Sequence, residues 1–153
     1  MIKEEEFLKN LSKVKEEIQD SCDKNGRLAS DVTLLPVTKN WPIEAVHYCK
    51  NNGIRRVGEN RVQEAVSKMD VEQNVHFELI GHLQSNKANQ VVGRFSSIQS
   101  VDSIKLLNRL SIMAEARGIT QSILIQVNAG GDPAKYGVSI EDTESMLIHA
   151  LSL

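Results

Sequence analysis

Thr33-Leu34-Leu35-Pro36-Val37-Thr38-Lys39-Asn40-Trp41-Pro42 decides how the chain is to be read. Its first half is a short apolar run bounded by polar residues, the pattern of a strand covered on both faces in a parallel sheet. That strand ends on Lys39. Pro42 and the amphipathic segment behind it restart the chain as a helix, because proline at the first helical position gives up a donor that has no partner there. Lys39 is thereby expected at the carboxyl end of a buried strand, where ligands bind in α/β architectures. Desolvation at such a place favours the neutral amine, the form that attacks an aldehyde to give a Schiff base. The same position also suits a lysine that snorkels to solvent.

Around this stretch lies a sequence of 153 residues, the length of one ordinary domain and enough to bury a core. A hydrophobic fraction of 41% with 25% charged residues is a globular composition. The formal net charge of -2, with Lys and Arg scattered among Asp and Glu, argues against nucleic acid and against a membrane surface as partners. Lys3-Glu4-Glu5-Glu6 stands where a signal peptide would carry an apolar region, so a cytoplasmic location is expected. Cys22 and Cys49 do not form a CxxC pair, and free thiols are expected of both.

Phe7, Leu8, Leu11, Val14 and Ile18 make one helix stripe, stopped at Asn25-Gly26, in an added element before the first strand. Beyond Pro42 strands and helices alternate. Ile43, Val46 and Cys49 predict a helix ending at Asn52-Gly53; Ile54 to Val57 predict a strand ending at Gly58-Glu59-Asn60; Val62, Ala65, Val66 and Met69 predict the next helix. Val75 to Ile80 is a third strand running out into Gly81-His82-Leu83-Gln84-Ser85-Asn86-Lys87, with a helix over 88–95. Ser97 to Val101 is a fourth, followed by a helix capped by Asp102 and stopped at Arg117-Gly118. Ser122 to Asn128 is a fifth, and Ser139 with Asp142 resembles a capping box for the last helix. Five strand-then-helix units about 25 residues apart argue for right-handed crossovers and a parallel sheet, either an open doubly wound one or part of a (β/α)₈ barrel. No G-x-G-x-x-G follows the first strand, as a nucleotide-binding open sheet would usually have.

The strands end on Lys39, then Glu59 and Asn60, then His82, Gln84 and Asn86, then Asp102, then Asn128, and in a barrel these positions converge on one mouth. Asp102 is read as a helix cap, and Asn60, Ser85 and Asn86 also stand near helix starts. His76 alternates with Phe77 and Leu79 and suits a hydrogen-bonded core histidine as well as a functional one, whereas His82 follows a glycine in a loop and is the better candidate. No metal-ligand spacing and no G-x-S-x-G elbow is present.

Pro36-Val37-Thr38-Lys39, Val57-Gly58-Glu59-Asn60-Arg61-Val62-Gln63-Glu64, His76 through Lys87, and Lys135-Tyr136-Gly137-Val138 resemble the signature blocks of the pyridoxal phosphate homeostasis proteins (the YggS/PROSC family). The resemblance implies a TIM-type (β/α) barrel like the N-terminal domain of alanine racemases. It further implies pyridoxal 5'-phosphate held as a Schiff base on Lys39, with Asn60 and His82 as further cofactor-binding residues. Glu59, Gln84 and Asn86 would build the barrel mouth. The role implied is a cytoplasmic carrier in vitamin B6 and amino-acid homeostasis, with amino acids as further partners and without clear racemase turnover. A racemase needs an acid/base on each face of the reacting carbon, and relatives of that fold bring the second from another domain. Full family members continue for three more strands, which hold the phosphate. The chain therefore reads as a single partial domain over 1–153, with a helix in 1–26 and five of eight β/α units in 32–153. The rivals are an amino-acid racemase and a remnant that binds the cofactor weakly or not at all. Full-length members are implied to be monomers. In the partial barrel the first and fifth strands would be exposed edges open to self-association.

Overall fold

A computed structural model describes residues 3–153. The N-terminal stripe forms α1 (Glu4–Lys24), which ends at Asn25 and turns on Gly26 with a φ of 63°. A single 3₁₀ turn, Ala29–Asp31, leads to the Thr33–Lys39 segment. Then follow α2 (Ile43–Asn51), β1 (Arg56–Glu59), α3 (Val62–Met69), β2 (His76–Leu79), a 3₁₀ turn (Ser85–Lys87) running into α4 (Ala88–Val91), β3 (Ser97–Val101), α5 (Ile104–Ala116), β4 (Ile123–Ile125) and α6 (Ile140–Leu151).

The four strands pair in sequence order, all parallel, which is the order of a barrel wall and not of a doubly wound sheet. They form an arc that does not close. Thr33–Lys39 lies beside β1 but is not the expected strand: it makes one parallel bridge, Val37 to Gly58, through Thr38 N–H to Gly58 O at 3.0 Å and Gly58 N–H to Pro36 O at 2.8 Å. Pro36 has no N–H to extend the ladder. The expected fifth strand is likewise short. Beyond Ile125 it continues as a bridge between Val127 and Val138, at which Gly137 is needed because a Cβ there would lie 2.5 Å from Asn128 N.

Register separates two faces. Val57 pairs with Phe77, Glu59 with Leu79, and Leu79 with Ile98, so these side chains point the same way. They meet Val46 and Cys49 of α2, Ala65 of α3, Val91 of α4, Leu106 and Leu110 of α5 and Met146 of α6 in one core. Gly58, Glu78 and Ser97 point the other way. On that side Glu78 accepts from Arg56 of β1 and Gln99 of β3, a polar row across three strands. No helix of the described residues is long and apolar enough to cross a membrane. Both cysteines are free and buried, and burial pushes the Cys49 thiol up to about 11.

Two local expectations are corrected, and one open alternative is decided. The helix read over 88–95 stops at Val91, and the chain turns through Gly93, whose φ is 75°. His76 is exposed, not in the core. Ser103, not Asp102, caps α5, its hydroxyl accepting from Leu106 N–H at 3.3 Å. Ser139 caps α6 as expected, accepting from Asp142 N–H at 3.0 Å and donating to the Asp142 carboxylate at 2.9 Å.

Candidate functional site

Thr38 to Trp41 form a turn closed by Trp41 N–H to Thr38 O at 3.1 Å. Asn40 has a φ of 61°, a conformation that asparagine tolerates better than most residues. Thr38 is buried toward the helix layer, its hydroxyl donating to Glu59 Oε1 at 2.7 Å. Its extended neighbours Val37 and Lys39 therefore stand on the other face. The desolvated amine expected at Lys39 is corrected: Lys39 lies in the turn and is exposed, and among the described residues its amine makes no hydrogen bond or ion pair.

Glu59 is corrected as well. It belongs to β1 itself and points into the helix layer, fully buried, instead of lining a mouth. There it meets Lys68, which α3 places on its buried stripe with Val62 and Ala65. The Lys68 ammonium donates to Glu59 Oε1 at 2.6 Å, to Thr38 O at 2.7 Å and to Glu64 Oε1 at 2.9 Å. Glu64 Oε1 also accepts from Asn40 N–H at 2.6 Å. Burial pushes the Glu64 carboxyl up, but the Lys68 hydrogen bond and the Asn40 N–H outweigh it and hold the group below its ordinary value of 4.5. Glu59 Oε2 is buried and has no partner among the described residues. Composition and spacing did not single out Lys68. The available signal was a lysine in register with an apolar helix stripe, one strand end away from a glutamate.

Asn60 and His82 follow β1 and β2, so they lie at the same end of the sheet as Lys39, on the two adjoining strands. With neighbouring strands about 4.8 Å apart, that row from Lys39 to His82 is on the order of 10 Å wide. Asn60 is exposed and does not cap α3. Its backbone abuts Gly81, where any Cβ would come within 2.1 Å of Asn60 O. Ser100 Oγ donates to Gly81 O at 2.6 Å and ties β3 to the same junction. Gln84 and Asn86 are exposed in the following loop and make no side-chain cap.

His82 Nδ1 lies 2.9 Å from Asp102 Oδ2, and its ring stacks on Tyr136 with centroids 3.6 Å apart and planes at 8°. Asp102 is available for this because Ser103 does the capping. A carboxylate on Nδ1 orients the imidazole and leaves Nε2 facing outward from the pair. Tyr136 lay in a signature block without an assigned role. Its loop is held by Asn128, whose side-chain amide donates to Asp132 O at 2.8 Å, so Asn128 shapes the loop. No group of three or more metal-ligating side chains occurs among the described residues.

An arc of parallel β/α units with polar residues gathered at its carboxyl end defines the class: an alanine racemase-like fold, matched by alanine racemase of Clostridium difficile at a TM-score of 0.75 over 95% of this chain and 37% of that one, at 13% identity. By sequence the chain is similar to the pyridoxal phosphate homeostasis proteins. It is 35% identical over 145 residues to the pyridoxal phosphate homeostasis protein of Aquifex aeolicus, covering 94% of this chain and 64% of that protein. It therefore spans less than two thirds of that relative's length. The PipY protein of Synechococcus elongatus, solved without pyridoxal phosphate, superposes with a TM-score of 0.77 at 34% identity, over 89% of this chain and 65% of PipY. The PipY structure with pyridoxal phosphate bound gives 0.71 at 31% identity, over 86% and 62%. No family model matches the chain.

Proposed function

We propose that the chain holds pyridoxal 5'-phosphate by an imine on Lys39, with Asn60 and His82 beside it, as a carrier serving vitamin B6 and amino-acid homeostasis. The observation that carries this reading is Lys39 itself: an amine free of protein partners among the described residues, on the helix-free side of the sheet, at the end where the strands present Asn60 and His82. A relative with the same fold binds this cofactor. The cofactor's contribution when bound is an aldehyde that accepts the lysine nitrogen, with loss of water.

The chain's own residues supply the rest. Asn60 offers an amide donor and acceptor one strand from Lys39. His82, held through Nδ1 by Asp102 and flanked by Tyr136, offers Nε2 to a polar group of the ligand.

The test is incubation with pyridoxal phosphate, borohydride reduction and peptide mass mapping. The reduced adduct is expected on Lys39 and is expected to disappear in Lys39→Ala. Adducts distributed evenly over the exposed lysines, with the same total in Lys39→Ala, overturn the assignment. Steady change in optical rotation on adding D- or L-amino acids to the loaded protein would instead favour the racemase reading.

A further inference from the structure

We propose that Glu59, Glu64 and Lys68 are positioning residues for Lys39, fixing where its amine is delivered by gripping the residues on either side of it. This rests on the imine reading of Lys39 and adds residues that touch neither lysine amine nor ligand.

The grip is two-sided. Before Lys39, Thr38 is held at its N–H by Gly58 O at 3.0 Å, at its hydroxyl by Glu59 at 2.7 Å and at its carbonyl by Lys68 at 2.7 Å. After Lys39, Asn40 N–H is held by Glu64 at 2.6 Å with its backbone in the left-handed region. One ammonium joins the halves, since Lys68 binds both carboxylates. Every polar atom of the turn's first residue thus has a partner, and the side chain between the two clamps is left free.

Stability alone does not account for this choice of residues. The Lys68 and Glu59 side chains are 7% and 0% exposed, and removing two ions from water at such a site offsets much of their attraction, so that apolar side chains of like volume commonly serve as well. What apolar side chains cannot do is bond the Thr38 carbonyl and the Asn40 N–H. An exposed lysine has a long flexible stem, and fixing the backbone from which it springs confines the amine to one region of the open face. Condensation needs the nitrogen lone pair aligned with the aldehyde carbon: the C–N bond forms, and the carbonyl oxygen leaves as water with the two amine hydrogens. Misplacement by about 1 Å is enough to slow such an aligned step up to roughly 100-fold.

The experiment is time-resolved borohydride trapping with pyridoxal phosphate on the whole chain, reading the Lys39 adduct relative to the adduct on exposed Lys9 of α1 in the same molecule. The ratio is expected to fall roughly tenfold in Glu64→Ala and in Thr38→Val, and to return in Glu64→Gln and Thr38→Ser, which keep an acceptor for Asn40 and a hydroxyl for Glu59. A general loss of structure shows instead as changed circular dichroism with a changed Lys9 rate, and Thr38→Val, which leaves the ion cluster in place, carries the test if Glu64→Ala unfolds. A wild-type excess at Lys39 that survives in folded Glu64→Ala and Thr38→Val overturns the positioning role alone. No wild-type excess at Lys39 overturns the imine reading and this inference with it.

Discussion

The two faces of one sheet differ more than any two parts of the sequence that build them. On the helix-covered face Val57, Glu59, Leu79 and Ile98 are all 0% exposed, while the other face runs from Glu78, buried in its polar row at 4%, to Val37 at 43% and Leu124 at 54%. Neighbouring residues of the same strand fall on opposite sides of this divide, as the two-residue period of an extended chain requires. The covered face holds the apolar core and, in its midst, the charged cluster of Glu59 and Lys68. The uncovered face holds the free amine of Lys39. Stability and the proposed chemistry therefore occupy opposite sides of the same few residues, and Thr38 is the point at which they are joined.

Substitutions should separate the two sides. Lys68→Ala should have the largest effect, destabilising the chain by about 3–5 kcal/mol in urea unfolding, because it leaves the buried Glu59 carboxylate without its counter-charge. A loss below about 1 kcal/mol would mean that the covered face accommodates an unpaired charge and that the two faces differ less than their burial implies. Leu79→Ala should follow at about 2–5 kcal/mol, through the cavity it opens. Its counterpart on the other face, Leu124→Ala, should change the unfolding free energy by no more than about 0.5 kcal/mol. That substitution should also lower any concentration-dependent association seen by sedimentation, since β4 is an edge strand.

A smaller effect comes from pH. A hydrogen bond from Lys50 and the Asn74 N–H hold the Glu72 carboxyl below its ordinary value of 4.5, and Glu64 is lowered as well. For a depressed carboxyl the unfolded chain binds the proton more readily, so its contribution is complete above the unfolded value and fades as pH falls through the native one. The urea midpoint should accordingly hold steady above about pH 5 and drop below 4.5, with a shallower acid limb in Glu64→Gln. A midpoint that rises on acidification would reverse the sign assigned to these pairs. Least of all should Lys39→Ala matter to folding, with a change within about 0.5 kcal/mol, even as it abolishes the trapped adduct.

Much of the molecule is legible in the amino-acid order because the relevant forces are local. Apolar spacing fixed where α1, α2, α3, α5 and α6 lie, and Asn52-Gly53 and Arg117-Gly118 mark ends that a left-handed glycine makes possible. Alternation of strands and helices implied a parallel sheet, and the strand order bears it out. The collection of Lys39, Asn60 and His82 at one end follows from that topology alone.

What local pattern could not decide is which way a polar side chain faces and what it meets. Glu59 reads as a loop residue until register pairs it with Leu79 and turns it toward α3. Asp102 reads as the cap of α5 until the structure gives that role to Ser103 and brings His82 to Asp102. Lys68 on an apolar stripe looks out of place until Glu59, nine residues away, lies beside it. Sequence by itself determined most of the elements, their order and the end of the sheet at which the polar residues gather, since each depends on residues a few positions apart. Tertiary structure alone decided that Lys39 is exposed and clamped from behind, since that depends on partners from two other segments, β1 and α3, brought to it by packing.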